Sequence, residues 1–474
     1  MWNRHTRAFG ALGGPETRHT RAFGALGGPE TRQTRAFGAL GGAVAGAAAL
    51  ALVVAAAVVG AVLNARGVPL YAGAPPLFGR WLPHVGPGTP FAVATAIAVV
   101  TRGPELAARL PWPRLLAAGY ATAVAWTLAL AMVDGWQRGL AGRLTTWDEY
   151  LHEVPGVRSI AGMIRGFDDR ILHFRPDSWT VHVAGHPPGA LLTFVGLDRV
   201  GLGGGAAAAI ACVLVGASTA VSVPVTLHAL GAVEQARAAV PFLALFPGAV
   251  WVGASADGLF AGVAAAGVAL LAAGVARRSD KLALAGGVLL GCAPYLSYGL
   301  ILMALPALAA ALVVRRWRPL VVAAAGAALV VAAFTAAGFW WLDGYHLVVE
   351  RYYQGIASER PYDYWVWANL ASLVLATGPA AAAGVVVLQG HPLGMRDPRT
   401  VRQWRAVRYL VLAAACAVLL ADASGLSKAE TERIWLPFAV WLTAGAVALP
   451  HPRRWLAAGA VTALLVNHLV LTGW

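Results

Sequence analysis

Crossing a bilayer as a helix takes about 17–25 mostly apolar residues, and stretches of that kind recur along almost the whole chain. Backbone polar groups cannot face lipid unpaired, so these stretches read as helices. Thirteen spans are predicted, at 43–63, 85–101, 115–133, 205–227, 238–254, 257–276, 282–297, 298–314, 319–338, 366–389, 408–421, 434–449 and 455–472. Those at 282–297 and 408–421 are short for a full crossing. The predicted fold class is an all-α polytopic membrane protein.

The polar segments between the runs are unequal. The longest covers 134–188, and smaller ones lie at 339–365 and 422–433. After the longest comes "GALLTFVGLDRVG", too short and too charged to span. It is predicted to lie along the membrane surface as an interfacial helix. Three regions follow from this pattern: a tail at 1–42, two N-terminal spans within 43–114, and a main body at 115–474 with a large loop at 134–203.

Composition agrees with the pattern. Of 474 residues, 58% are hydrophobic and 12% charged, the latter about half the share of a soluble domain. The net charge of +14 would suggest nucleic acid if it were spread evenly. It is not. With the N-terminus inside, the inner segments hold 23 Lys/Arg against 6 Asp/Glu, and the outer ones 13 against 16. Arg102, Arg109, Arg114, Arg277, Arg278, Arg315, Arg316, Arg318, Arg396, Arg399, Arg402, Arg405 and Arg408 all fall inside. A positive inner face orients a membrane protein, so the basic balance is topology and no nucleic-acid partner is expected. The N-terminus is then cytoplasmic and 134–188 extracytoplasmic. Cys212, Cys292 and Cys416 fall within apolar runs and form no disulfide framework or CxxC metal site.

The tail is a tandem repeat: "RHTRAFGALGGPET" at 4–17 and again at 18–31, then "RQTRAFGALGG". A 14-residue period is too short for a solenoid unit. It reads as a recent duplication or an early start site, with a basic tail on anionic lipid as the functional alternative.

The residues able to do chemistry cluster in the outer segments. "TTWDEYLHEVPGV" holds Asp148 and Glu149, and "GFDDRIL" holds Asp168 and Asp169. A carboxylate at a membrane surface can serve as general base to a hydroxyl; the commoner role of such pairs is a solvated charge or a cap. "HVAGHPPGALL" places His186 before Pro187 and Pro188. Two prolines fix φ and make a stiff corner that positions the histidine. Asp257, in "VWVGASADGLF", sits in a polar break between two spans, either as a functional carboxylate or as the cap of the next helix. "DASGLSKAETERIWLPF" brings Lys428, Glu430, Glu432 and Arg433 up to a span. Arg433 suits phosphate oxygens, unless it serves an ion pair with neighbours such as Glu432. Tyr352, Tyr353, Tyr362, Tyr364, Trp365 and Trp367 read as an interfacial aromatic belt, with a sugar-stacking platform as the alternative.

An outer acidic pair, then His-Pro-Pro 38 residues beyond Asp148, then an interfacial helix, resembles the GT-C glycosyltransferase superfamily. The pattern is similar to the protein O-mannosyltransferase and aminoarabinose-transferase branch, with Gly189 where the mannosyltransferase pattern has leucine. "GLSKAETERIWLPF" and the Ala-, Gly- and Arg-rich composition look actinobacterial. The resemblance implies a hexosyl- or pentosyltransferase of the cell membrane, working at the extracytoplasmic surface. Its donor would be a sugar on a polyprenyl phosphate. Its acceptor would be a hydroxyl of an envelope glycan, lipid or protein, with membrane lipid as a further partner. Transfer would invert the anomeric centre. The implied base is Asp148, with Glu149 beside it; His186 and Arg433 would face the phosphate, and Asp257 and Glu149 would orient the substrates. No cofactor is demanded, although a divalent cation is compatible. The rival classes are a transporter or lipid flippase, which intramembrane charge such as His468 would suit, and an inactive partner in envelope assembly.

Overall fold

The computed structural model describes residues 29–253, 255–390 and 398–473. The repeat at 4–31 lies almost wholly outside the described residues, as does Arg396. The architecture is helical. Helix α1 (Pro29–Ala65) precedes a loop carrying the strand β1 (Gly79–Trp81), then α2 (Thr89–Arg109) and α3 (Trp112–Ala131). The long loop at 134–203 holds α4 (Tyr150–Glu153), α5 (Ile160–Arg165), α6 (Val181–Ala184) and α7 (Pro188–Arg199). The body continues through α8 (Gly205–Ala217), α9 (Thr219–Ala229), α10 (Val233–Ala244), α11 (Ala249–Val252), α12 (Ala256–Arg277), α13 (Asp280–Leu296), α14 (Ala304–Val314) and α15 (Arg318–Ala336). It ends with α16 (Trp341–Tyr353), α17 (Tyr362–Thr377), α18 (Pro379–Gly390), α19 (Pro398–Ala423), α20 (Thr431–Ile434), α21 (Leu436–Thr443), α22 (Pro452–Leu469) and β2 (Val470–Thr472).

Seven helices among the described residues are long and apolar enough to cross a membrane: Gly38–Ala65, α2, α3, Gly205–Ala229, α12, α15 and Thr400–Ala423. They coincide with seven of the predicted spans. An eighth predicted span, 366–389, is the pair α17–α18, bent by 102°. The bend falls at Gly378, whose φ of 73° a side chain would oppose.

The other five predicted spans fall on shorter or interrupted helices. The run 238–254 breaks between α10 and α11 around Pro247, and the indole N–H of Trp126 donates to the freed Phe246 carbonyl at 3.1 Å. Helix α13 has 17 residues. The run 298–314 opens as a 3-10 turn (Tyr298–Met303), and 434–449 is divided among α20, α21 and a closing 3-10 turn. The run 455–472 ends as a strand: β2 pairs antiparallel with β1, Arg80 opposite Leu471. That pairing ties the chain's end to the loop after α1. Conversely, the short run 408–421 belongs to a longer helix, because the arginine-bearing segment before it is also helical.

Packing depends on small residues, as is usual where helix association in lipid needs close backbones. A Cβ on Gly287 would fall 2.0 Å from the Ala323 carbonyl, and one on Gly291 2.6 Å from Ala327 Cα. These two glycines, four apart, let α13 press onto α15. Helix α12 is central: 72% of its apolar window is buried within the protein, against 17% for α15. Asp257, in the first turn of α12, therefore enters the middle of the structure.

Candidate active site

The cluster begins with Glu149, which precedes α4 in extended conformation and does not cap it. Its carboxylate instead takes the Nδ1–H of His182 at 2.8 Å. The backbone reinforces this contact, since His182 N–H donates to the Asp148 carbonyl at 3.0 Å. Both side chains are buried, Glu149 being 2% exposed. Burial opposes protonation of His182, but the charge and hydrogen bond of Glu149 outweigh it and hold the imidazole above its ordinary range.

On its other side, His182 Nε2 meets Arg433 Nη2 at 3.5 Å. Arg433 Nη1 donates to Asp257 at 2.7 Å, and Nη2 donates to Glu430 at 2.8 Å. Burial opposes the guanidinium's charge, yet Asp257 and Glu430 more than compensate and raise its pKa. Arg360 adds a second cation, 3.2 Å from Glu430. Burial alone would push the Glu430 carboxyl up; Arg433 and Arg360 hold it below its usual range. The chain Glu149–His182–Arg433–Asp257, with Glu430 and Arg360 attached, is thus a buried ionic network.

His186 stands at its edge. Its Nδ1–H donates to the His182 carbonyl at 2.8 Å, and its ring lies 5.7 Å from both Tyr150 and Phe260. Burial pushes its pKa down to about 4, so the ring is neutral and Nε2 presents a lone pair. Pro187 is extended at the N-cap of α7 and Pro188 occupies the first turn, where a missing N–H costs nothing. Gly189 follows because a Cβ there would fall 2.5 Å from the Tyr295 carbonyl.

The structure brings Glu149, His186, Asp257 and Arg433 together. Asp148 is half-buried beside them and keeps access to solvent. Glu432 points elsewhere, accepting from Phe78 N–H at 3.0 Å, and Arg433 pairs with Asp257 and Glu430 instead. Asp168 and Asp169 form a separate 3-10 turn. His468, read as intramembrane charge, hydrogen-bonds Thr89 at 2.9 Å. Asp257 carries no cap bond and spends its carboxylate on Arg433.

The predicted aromatic belt is partly scaffolding. Tyr364 and Trp365 are buried under α1, and the Tyr364 hydroxyl donates to the Ala56 carbonyl at 2.9 Å. The Tyr352 hydroxyl accepts from Lys428 N–H at 2.9 Å. Only exposed members such as Tyr353 and Tyr362 keep a surface position.

The sequence alone assigns no role to His182 or Arg360, and for Arg433 it offers Glu432 as the ion-pair neighbour rather than Glu430. The signals were present: His182 precedes His186 by one helical turn, and Glu430 precedes Arg433 by three residues. Asn369 organises the segment that holds Arg433. Its Nδ2 donates to Asp422 and Ser427, and its Oδ1 accepts from Ala429 N–H. Ala429 and Glu430 both take positive φ, 71° and 64°, a local strain that packing must sustain.

Burial pushes the Glu432 carboxyl up to about 7. A raised folded-state pKa makes the native protein bind protons that the unfolded chain has released, so stability falls as pH rises through that window. Glu432→Gln keeps the acceptor for Phe78 and removes the titration. Its melting temperature in detergent should match the wild type at pH ~5 and exceed it at pH ~8.

Beside the network lies a cavity of about 530 Å³ lined by Thr145, Leu151, His152, Phe194, Asp198 and Leu202, among others. Phe194 stacks on Tyr150 at 5.1 Å, so one aromatic layer separates the cavity from His182 and His186. Among the described residues no group of three or more His, Cys, Asp or Glu could hold a metal ion.

Fold and site together define a helical protein with helices long and apolar enough to cross a membrane and a buried ionic network where its longest loop meets α12. No family model matches the chain, and no curated protein matches it. Among solved structures the chain is similar to the Archaeoglobus fulgidus oligosaccharyltransferase in complex with Zn and sulfate, at 13% identity, over 75% of this chain and 53% of that one, with a TM-score of 0.47. The same enzyme tethered to an acceptor peptide containing the NVT sequon gives 13% identity, 70% and 49% coverage, and a TM-score of 0.41. The chain spans about half the length of these structures.

Proposed function

We propose that the protein is an integral-membrane glycosyltransferase of GT-C type, with its site on the extracytoplasmic face. It moves a hexose or pentose from a polyprenyl-phosphate donor to a hydroxyl of an envelope glycan, lipid or protein. One observation carries this reading: Glu149 of the acidic pair and His182, one helical turn before the His-Pro-Pro corner, meet Asp257 and Arg433 from distant parts of the chain in one network, with His186 at its edge. Glu149 is committed to His182, whereas Asp148 has open lone pairs and access to solvent.

Asp148 therefore takes the proton of the acceptor hydroxyl. The oxygen attacks the anomeric carbon, the bond to the phosphate oxygen breaks, and its electron pair leaves with the polyprenyl phosphate. A single displacement inverts the anomeric centre. Neutral His186 accepts a hydrogen bond from a substrate hydroxyl. Arg433 stabilises the leaving phosphate, and being 5% exposed, it does so by exchanging one of its carboxylates for the phosphate. The apolar cavity beside Tyr150 takes the first part of the lipid tail. In this reading all thirteen predicted segments belong to the membrane domain, the shorter ones as partial or broken spans.

A transporter is the second reading, favoured by the bend at Gly378, where a Cβ would fall 3.3 Å from Pro247 at the other helix break. Discontinuous helices hold substrates or ions in many transporters. Here the Thr377 hydroxyl bonds Leu373 and Trp126 satisfies Phe246, so the breaks spend polar groups on themselves. Purified protein in detergent, given radiolabelled polyprenyl-phosphate sugars and an envelope extract, should release polyprenyl phosphate and label the extract. Flux of intact donor across sealed vesicles without that release would favour the transporter, and neither activity would favour an inactive assembly partner.

Orientation is tested separately. The charge asymmetry puts 134–188 outside and the N-terminal repeat inside. Single cysteines at position 160 should label in intact cells with an impermeant reagent, and those at position 20 should not. The reverse pattern would overturn the orientation.

A further inference from the structure

The turn Asp168–Arg170 plays no part in the network at Glu149, yet it meets α16 and Tyr298 with polar atoms to spare. Two contacts seat it: Phe167 packs edge-on against Phe339 at 5.8 Å, and His173 N–H donates to Gln354 at 2.7 Å. Asp168 Oδ1 is buried without a hydrogen-bond partner, and so is the Tyr298 hydroxyl. Tyr298 is 7% exposed, and its hydroxyl lies over Gly344, where a Cβ would fall 2.6 Å from it. Asp343 is the neighbouring residue, exposed in the first turn of α16. Burial, then the charges of Asp343 and Asp169, push the Asp168 carboxyl up to about 6.

Trp341 and Tyr345 flank these groups as half-buried rings stacked on each other, 5.5 Å apart and 3° from parallel. Tyr298 touches them at 5.4 and 6.0 Å. The indole N–H of Trp341 is held by the Pro294 carbonyl at 2.9 Å, which fixes the ring. The ordinary role of Asp343 is to favour the first turn of its helix. That role leaves two buried orphans unexplained, and buried polar atoms are normally paired.

We propose that this junction is a carbohydrate subsite, in which Asp168 and Asp343 accept from sugar hydroxyls, Tyr298 completes the hydrogen bonding, and the Trp341–Tyr345 platform takes the apolar face of the ring. A hard divalent cation needs six or more oxygens; two carboxylates and a phenol beside aromatic faces suit a neutral polyhydroxyl ligand better. The turn is rigidly joined to the His182 segment. Trp179 donates to the Phe167 carbonyl at 2.9 Å, Arg170 lies 3.3 Å over the Trp179 ring, and Thr180 N–H donates to Glu153. A sugar held here is thereby referenced to the network, as a remote part of an acceptor glycan would be. The ligand class rests on the glycosyltransferase reading.

The test is saturation-transfer NMR on the full-length protein in detergent, without donor, using methyl mannoside, glucoside, galactoside and arabinofuranoside as probes. At least one should show transfer. Asp168→Asn and Tyr298→Phe, both isosteric, should each weaken it about ten- to a hundredfold, the scale of one hydrogen bond to a charged group, with unchanged melting curves. Transfer from none of the glycosides overturns the subsite, as does undiminished transfer in both folded variants. Asp168-dependent relaxation enhancement by Mn²⁺ without glycoside binding would make it a cation site instead. Because no donor is present, a lack of glycosyl transfer leaves the binding result standing, and a failed subsite leaves the transfer assay to decide the activity.

Discussion

Arg433→Ala should destabilise the protein by about 3–5 kcal/mol, the usual consequence of leaving buried charge without its partner. The residue pairs with Asp257 and Glu430, all three are largely shielded, and the change strands two carboxylates at once. Arg433→Lys should recover little, because a single ammonium cannot span both carboxylates and face His182 as the planar fork does. Adding Asp257→Asn to Arg433→Ala should restore part of the loss, since one stranded charge is then removed; thermal unfolding of the single and double variants in detergent measures the coupling. Activity should be absent in every variant lacking Arg433. Equal stability of Arg433→Ala and the wild type would show that the network is not formed.

Asp148→Asn should behave in the opposite way. The residue is half-buried and its side chain spends nothing on the network, so stability should change by about 0.5 kcal/mol or less. Transfer should fall about 10²–10⁴-fold, the share that a positioned general base supplies. Glu149→Gln, by contrast, should act through His182. It should affect stability and rate together, because the amide cannot hold the imidazole above its ordinary range.

Much of this was legible in the sequence, and the reasons are physical. Long apolar runs such as 43–63 and 257–276 carry their own evidence, since nothing else accounts for their length. Asp257 was open between a functional carboxylate and a helix cap in the sequence, and its contact with Arg433 is visible only in the fold. The breaks were not legible. Proline at 247 and glycine at 378 occur within apolar runs elsewhere in the chain without breaking a helix, as Pro224 does inside α9. Only the tertiary partners, Trp126 for one break and the close approach of Gly459 to Gly378 for the other, make these two positions bend. The strand at 470–472 was hidden because its partner lies almost four hundred residues away. His182 looked like any apolar-face histidine until Glu149 and Arg433 closed on it. Tyr364 and Trp365 have the composition of an interfacial belt and the position of a core, which depends on where α1 packs.

Glycosyl transfer itself is decided by initial rates from a polyprenyl-phosphate donor with the purified wild type, Asp148→Asn and Arg433→Gln, folding of each being checked by melting. The wild type should transfer sugar, and both variants should lose at least about a hundredfold. Wild-type rates in both folded variants, or no transfer by a folded wild type with any donor sugar, would contradict the glycosyltransferase reading.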